Sequence, residues 1–243
     1  MTWLRSMLFN AWFFTVTTAI CVWSVALRIA APGRILGVAR LWARLVIQGA
    51  RPLCGIRYAV LGGEHLPRSG AVIIASQHQS AFDTIIWMHL MPRVAYVFKA
   101  ELSRVPLFGP LMRLSGQIEV GRGAGVGALR AMLREADRAA RTERQIVIFP
   151  EGTRVDHGIR APLQPGVALL ARRTGLPVIP VATNSGLFWP RRAFRKRAGT
   201  VLIAARPALP AGLSEDALLA ALRAAWDEGE AEMRAFQAGR VRV

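Results

Sequence analysis

Three apolar runs of strand length set the limits on what this chain can become. Ala71-Val72-Ile73-Ile74-Ala75, Ile146-Val147-Ile148-Phe149 and Val178-Ile179-Pro180-Val181 carry no charge and do not alternate apolar with polar residues. A strand that is apolar on both sides must be covered on both sides, which is the condition of a parallel sheet packed between helices. The strand segments are placed at 56–61, 71–75, 93–98, 117–120, 145–149, 177–183 and 200–206. Helix-period segments fall at 82–91, 126–141, 166–174 and 215–237. In 126–141, Leu129, Met132, Leu133 and Ala136 share one face, while Arg130, Arg134 and Arg138 share another. The alternation predicts an α/β fold, a mostly parallel sheet flanked by helices. The acidic, amphipathic segment 215–237 is expected to pack on the sheet edge.

The amino-terminal segment follows a different rule. Between Arg5 and Arg28 lie 22 residues without a charge, about 33 Å of helix. Trp3, Trp12 and Trp23 are the amphipathic anchors found at membrane interfaces. A cleaved signal peptide has a shorter apolar core and a small-residue cleavage site, for which Ala30-Ala31-Pro32 is poorly suited. Membrane attachment, spanning or within one leaflet, is the better reading. Pro32-Gly33 breaks the helix, and 35–50 reads as a second one, with Arg34, Arg40, Arg44 and Arg51 among Leu36, Leu41, Trp42 and Leu45. The expected organisation is a membrane-attached helical hairpin over 1–52 and an α/β domain over 53–243. Arginine-rich sequence after the first helix places the body on the cytoplasmic side of the inner membrane.

Charge names the class of partner. The chain has 32 Lys and Arg against 15 Asp and Glu, a net charge of +17. Such an excess predicts an anionic partner: an anionic phospholipid surface, an acidic carrier protein or a nucleic acid. Zinc spacing, helix-turn-helix signatures and aromatic-basic RNA motifs are absent from the sequence, which argues against nucleic acid. Cys21 and Cys54 form neither a metal pattern nor a disulfide framework.

Chemistry is concentrated where apolar runs stop. His78 follows the 71–75 strand in a turn, and Asp83 lies five residues on, in the first turn of the next helix. A carboxylate can fix an imidazole's tautomer and leave its other nitrogen to take a proton from a hydroxyl. Phe149-Pro150-Glu151-Gly152-Thr153-Arg154 ends another buried strand: proline stops the ladder and glycine lets backbone approach a ligand. Gly116-Gln117-Ile118-Glu119-Val120-Gly121-Arg122 ends a short strand with a guanidinium suited to forking onto phosphate. Lys99 follows the 93–98 strand toward the same cleft.

Taken in order, these blocks resemble the PlsC-type glycerolipid acyltransferases, above all the branch acting on 1-acyl-sn-glycerol 3-phosphate. The resemblance covers roughly residues 56–210 and includes Val178-Ile179-Pro180-Val181. It implies transfer of an acyl group from acyl-CoA or acyl-acyl carrier protein to the sn-2 hydroxyl of lysophosphatidic acid, giving phosphatidic acid. His78 and Asp83 are then catalytic. Arg122, Arg154 and Lys99 bind the acceptor's phosphate; Glu151, Gly152 and Thr153 position substrate, with amides around Gly152 and Thr153 as an oxyanion site. No metal and no bound cofactor are implied. Gln77 stands where the family commonly has Asn, Glu119 where an apolar residue is usual, and Gly121 where Asp is usual. The alternatives are acylation of another lyso-lipid, such as lyso-ornithine lipid, and a non-catalytic lipid-binding protein at the membrane surface.

Overall fold

The structure, a computed structural model, describes residues 2–105, 108–121 and 126–240. In chain order it contains α1 (Thr2–Ala30), α2 (Ile35–Cys54), β1 (Ile56–Leu61), β2 (Val72–Ser76), α3 (Ala81–Leu90), β3 (Val94–Lys99), α4 (Phe108–Leu114), β4 (Ile118–Val120), α5 (Val126–Arg141), β5 (Gln145–Ile148), α6 (Gly166–Thr174), β6 (Val178–Thr183), β7 (Gly199–Ala205) and α7 (Glu215–Gln237). The strands form one sheet in the order β1-β7-β6-β2-β5-β3-β4. The pairs are parallel except β6 with β7, where Thr183 faces Ile203. That reversal brings the first residues of β1 and β7 to the same edge of the sheet as the last residues of β2, β5 and β6.

The expected α/β architecture is present, with every residue of β2, β5 and β6 buried. On one face α2 and α3 close a core containing Val46, Ile47, Ile74, Ile85 and Trp87. On the other, α5, α6 and α7 close a core containing Ile73, Met132, Leu170, Leu222 and Trp226. Helix α4, which the periodicity did not announce, connects β3 to β4.

Helix α7 does not sit on the sheet edge. It packs on β6 and β7, and the Trp226 indole N–H donates to the Ala75 carbonyl of central β2 at 3.1 Å. Small residues permit this approach: a Cβ on Gly229 would stand 3.0 Å from Ala182 Cβ and 3.3 Å from Ala204 Cβ. Acidic composition marks the solvent face of α7, whereas its position is set by the contact face.

The boundary expected between 52 and 53 falls inside α2, whose Ala43, Val46, Ile47, Ala50 and Cys54 belong to the core shared with the sheet. Helix α1 lies against α2. The Trp12 indole donates to the Leu45 carbonyl at 3.3 Å and the Trp42 indole to Thr17 Oγ1 at 2.9 Å. Gly49 permits the close approach, since a Cβ there would meet Trp12 Nε1 at 2.2 Å.

The first turns of α1 are also seated on the α/β body. Phe9 is fully buried and meets the Trp189 ring edge-on at 5.1 Å, burial that contributes about 1.5–3 kcal/mol. Ser6 Oγ accepts the Lys196 backbone N–H at 3.0 Å. The Lys196 ammonium donates to Asn10 Oδ1 and lies 5.3 Å over the Trp189 ring. Burial pushes its pKa below that of an ordinary lysine. Away from this contact α1 exposes Trp3, Leu4, Met7, Leu8, Phe14 and Trp23. Among the described residues it is the one helix long and apolar enough to cross a membrane.

Candidate active site

The turn after β2 is shaped by a reciprocal helix cap. Ser80 is the N-cap of α3 and its Oγ accepts the Phe82 N–H at 3.0 Å. Asp83 reaches back, and its Oδ2 accepts the N–H groups of Ser80 at 2.8 Å and Gln79 at 2.7 Å. Such a capping pair satisfies helix-start donors that would otherwise be orphaned. The same oxygen lies 3.3 Å from His78 Nδ1, the long end of a hydrogen bond. Asp83 is therefore held by the helix it caps before it meets the imidazole.

Three further contacts fix His78. Its ring stacks on Phe149 with centroids 4.1 Å apart and planes at 20°. Its backbone N–H donates to Glu151 Oε2 at 2.6 Å, and its carbonyl accepts the Val155 N–H at 2.7 Å. The turns after β2 and β5 are thus joined directly, as neighbouring parallel strands allow. With Nδ1 facing Asp83, the Nδ1–H tautomer leaves Nε2 as the acceptor, and Nε2 has no protein partner among the described residues. The side chain is 15% exposed, so a hydroxyl can reach it while bulk water is largely kept out. Such a nitrogen can act as a general base.

Glu151 is buried, and desolvation pushes its carboxyl pKa up to about 7. The His78 N–H works against that shift, Asp83 and Glu230 add to it, and Arg223 opposes it. Gly152 adopts φ +66°, the left-handed conformation that favours glycine. Its N–H donates to the Phe149 carbonyl at 2.9 Å, so that amide closes the turn. Thr153, the next residue, is exposed, and its N–H has no protein acceptor among the described residues. Arg154 is half-buried on the same loop, and its carbonyl accepts from Arg191 Nη1 at 3.1 Å. Lys99 is exposed at the end of β3, at the same sheet edge and two strands from β2. Arg122 lies outside the described residues.

Sequence reading missed the supports beneath this turn. The Gln77 amide bridges two elements: Oε1 accepts the Thr183 N–H at 2.9 Å and Nε2 donates to Glu230 Oε1 at 2.8 Å. Gln79 does the same on the other side, donating to the Thr183 carbonyl at 2.7 Å and accepting from Gly186 N–H at 3.1 Å. Gln77 and Gln79 flank the histidine and were visible as polar residues in a buried turn. Glu230 gave no signal, because 153 residues separate it from Gln77. Glu119, at an ordinarily apolar position, accepts the Ser103 hydroxyl at 2.6 Å.

Residues 57–184 match the family model described as Acyltransferase, a span that includes His78, Asp83 and the whole Phe149–Arg154 turn. The chain belongs to the acyltransferase family. The 1-acyl-sn-glycerol-3-phosphate acyltransferase of Pseudomonas aeruginosa is 35% identical over 174 residues, covering 72% of this chain and 67% of that protein. The human 1-acyl-sn-glycerol-3-phosphate acyltransferase alpha is 30% identical over 176 residues, 71% of this chain and 62% of its own length. The chain thus spans about two thirds, or somewhat less, of these relatives. Among solved structures, the 1-acyl-sn-glycerophosphate acyltransferase PlsC of Thermotoga maritima superposes with a TM-score of 0.74, covering 97% of this chain and 98% of that one at 23% identity. The likeness extends over α1 and α2, so the helical hairpin and the acyltransferase sheet share one fold.

Proposed function

We propose that this acyltransferase moves an acyl group from a thioester to the free sn-2 hydroxyl of 1-acyl-glycerol 3-phosphate, giving phosphatidic acid. The observation that carries the reading is the His78–Asp83 pair at the carboxyl edge of β2, with Nδ1 directed to Asp83 and Nε2 open. Relatives named for this acceptor support the choice of substrate. In the step, Nε2 takes the hydroxyl proton as the oxygen bonds to the thioester carbonyl carbon. The tetrahedral intermediate then collapses, the C–S bond breaks, and the imidazolium returns its proton to the departing thiolate. Asp83 orients the imidazole and stabilises its charged form, assistance typically contributing about 10²–10⁴-fold. Chain nucleophiles and acyl-enzymes are not required, since the acceptor supplies the attacking oxygen.

In this reading the Thr153 amide faces the developing oxyanion. Arg154 and Lys99 approach the acceptor's phosphate from the same sheet edge, and Arg122 joins them by the family resemblance. Glu151 holds the His78 backbone. Acyl-CoA and acyl-acyl carrier protein are both suitable donors, and the basic surface suits the acidic carrier.

The attachment proposed is to one leaflet of the cytoplasmic membrane, with the catalytic edge facing the cytoplasm. Helix α1 is seated on the body through Ser6 and Phe9 and on α2 through Trp12, which supports docking over crossing. Its exposed apolar stripe is free to enter one leaflet. The test is acyl transfer from a labelled thioester by the purified protein, with lysophosphatidic acid and lyso-ornithine lipid offered in parallel and His78→Ala as control. Phosphatidic acid formed by the wild type alone is expected; product from the ornithine acceptor alone would overturn the substrate.

A further inference from the structure

Beside the exposed start of α1 is a basic cavity that the acyl-transfer chemistry does not use. It measures about 710 Å³, opens to solvent, and is walled by Arg5, Arg51, Arg57, Gly55, Ala198 and Gly199. It lies at β1, the outermost strand of the sheet and three strands from β2, which is roughly 14 Å at the usual strand spacing. It is therefore separate from the His78 turn, although it opens at the same sheet edge.

The three guanidiniums are differently placed. Arg5 donates through Nε to the Leu53 carbonyl at 3.1 Å and through Nη2 to the Pro52 carbonyl at 3.2 Å. It thereby covers the carbonyl end of α2, which would otherwise repel an anion, and has N–H groups left to donate. Gly55, with φ +71°, lies beside it: a Cβ there would stand 2.9 Å from Ala198 Cβ and 3.5 Å from Arg5 Nη2. Arg51 and Arg57 are exposed and meet no carboxylate among the described residues, and no acidic side chain lines the cavity. Three converging cations without a counter-charge form a site for a phosphate group.

What adjoins the cavity selects the source of that phosphate. Exposed Leu4 and, one turn on, exposed Leu8 flank Arg5 on α1; further round the helix Trp3, Leu4, Met7 and Phe194 line an apolar recess of about 380 Å³, where Trp3 stacks on Phe194 at 5.5 Å. The recess continues into the exposed apolar stripe of α1. A soluble phosphate compound has no use for that surface; a lipid with an anionic headgroup and acyl chains uses both halves.

We propose that Arg5, Arg51 and Arg57 form a docking site for the phosphate of an acidic glycerophospholipid whose acyl chains lie along the exposed apolar stripe of α1 through Leu8, Leu4 and Met7. The site makes membrane attachment selective for anionic lipid. It rests on the membrane-docked reading of α1 and is independent of the reaction the enzyme performs.

The test is flotation of the full chain with vesicles of phosphatidylcholine alone and with 30 mol% phosphatidylglycerol. These measurements need no turnover, so they stand apart from the acyl-transfer assay. Arg51→Gln/Arg57→Gln is compared with Arg191→Gln/Arg192→Gln, which removes the same charge from the neighbouring loop, and melting temperatures verify that both variants fold. The expected result is about 30-fold weaker binding to anionic vesicles for Arg51→Gln/Arg57→Gln, unchanged binding to phosphatidylcholine vesicles, and a much smaller loss for the loop variant. Equal losses in the two variants would reduce the site to diffuse charge and overturn it. Stabilisation of the wild type by inorganic phosphate that is lost in Arg51→Gln/Arg57→Gln, with no difference on vesicles, would overturn the lipid as occupant. Failure of the wild type to bind vesicles of either composition would overturn the docked reading itself.

Discussion

Glu151 and His78 are joined through the backbone of one and the side chain of the other: Oε2 accepts the His78 N–H at 2.6 Å. The bond ties the loop after β5 to the turn that carries the base, and it does so with a carboxyl group whose pKa is raised by burial to about 7.

That pairing makes stability depend on pH in a direction opposite to most carboxylates. The folded pKa of Glu151 lies above its ordinary 4.5, so the native state holds the proton more tightly than the unfolded chain. Stability is fully present below the unfolded pKa and falls as pH rises through the folded one. The rise from 4.5 to about 7 corresponds to about 3 kcal/mol. Glu151→Gln keeps an acceptor for His78 and removes the titration. Denaturant unfolding at pH 5 and pH 8 is expected to show the variant gaining on the wild type by most of that amount at the higher pH. A difference independent of pH would mean that Glu151 ionises like an exposed glutamate.

Asp83 serves both a helix cap and the imidazole, and two substitutions separate the roles. Asp83→Ala leaves the buried N–H groups of Gln79 and Ser80 without their acceptor and is expected to lower stability by about 1–3 kcal/mol as well as activity. Asp83→Asn keeps an oxygen for the cap but not the negative charge; its expected signature is near-wild-type melting with kcat reduced by about 10²-fold or more. Equal melting losses in both variants would show that the cap needs the charge.

Arg144 is the clasp of the other sheet edge. Its guanidinium donates to the carbonyls of Arg93, Val94, Ser115 and Gly116, joining the chain before β3, β4 and β5. Burial pushes its pKa down to about 10. Arg144→Ala strands several carbonyls and is expected to cost about 2–4 kcal/mol in denaturant unfolding. Arg144→Lys is expected to recover less than half, because an ammonium lacks the planar fork; full recovery by lysine would show that charge alone matters.

The two amino-terminal helices have different tolerances. Replacing Trp3, Leu4, Met7 and Leu8 with glutamine is expected to release the protein from vesicles with little change in melting. Deleting residues 1–50 removes Ala43, Val46, Ile47 and Ala50 from the core, and misfolded, aggregated protein is expected. Recovery of a cooperatively melting 51–243 fragment would show that the sheet does not depend on α2.

Much of this architecture is written locally. Uncharged runs such as Val72–Ser76 and Val178–Thr183 have no option but a covered sheet, because their backbone groups must pair while both faces leave water. The end of the apolar run before His78, and proline and glycine after Phe149, mark where those strands stop, so the turns bearing His78 and Glu151 could be placed from sequence. What sequence left open was decided by contacts between distant segments. Only packing shows that α2 belongs to the core while α1 keeps an apolar face outward. Only the small residues Gly229, Ala182 and Ala204, brought together from separate elements, set α7 over the sheet instead of at its edge. The Gln77–Glu230 bond and the Arg5–Arg51–Arg57 cavity have the same origin. Periodicity reports what a segment must bury, whereas the partner that buries it is chosen by the tertiary structure.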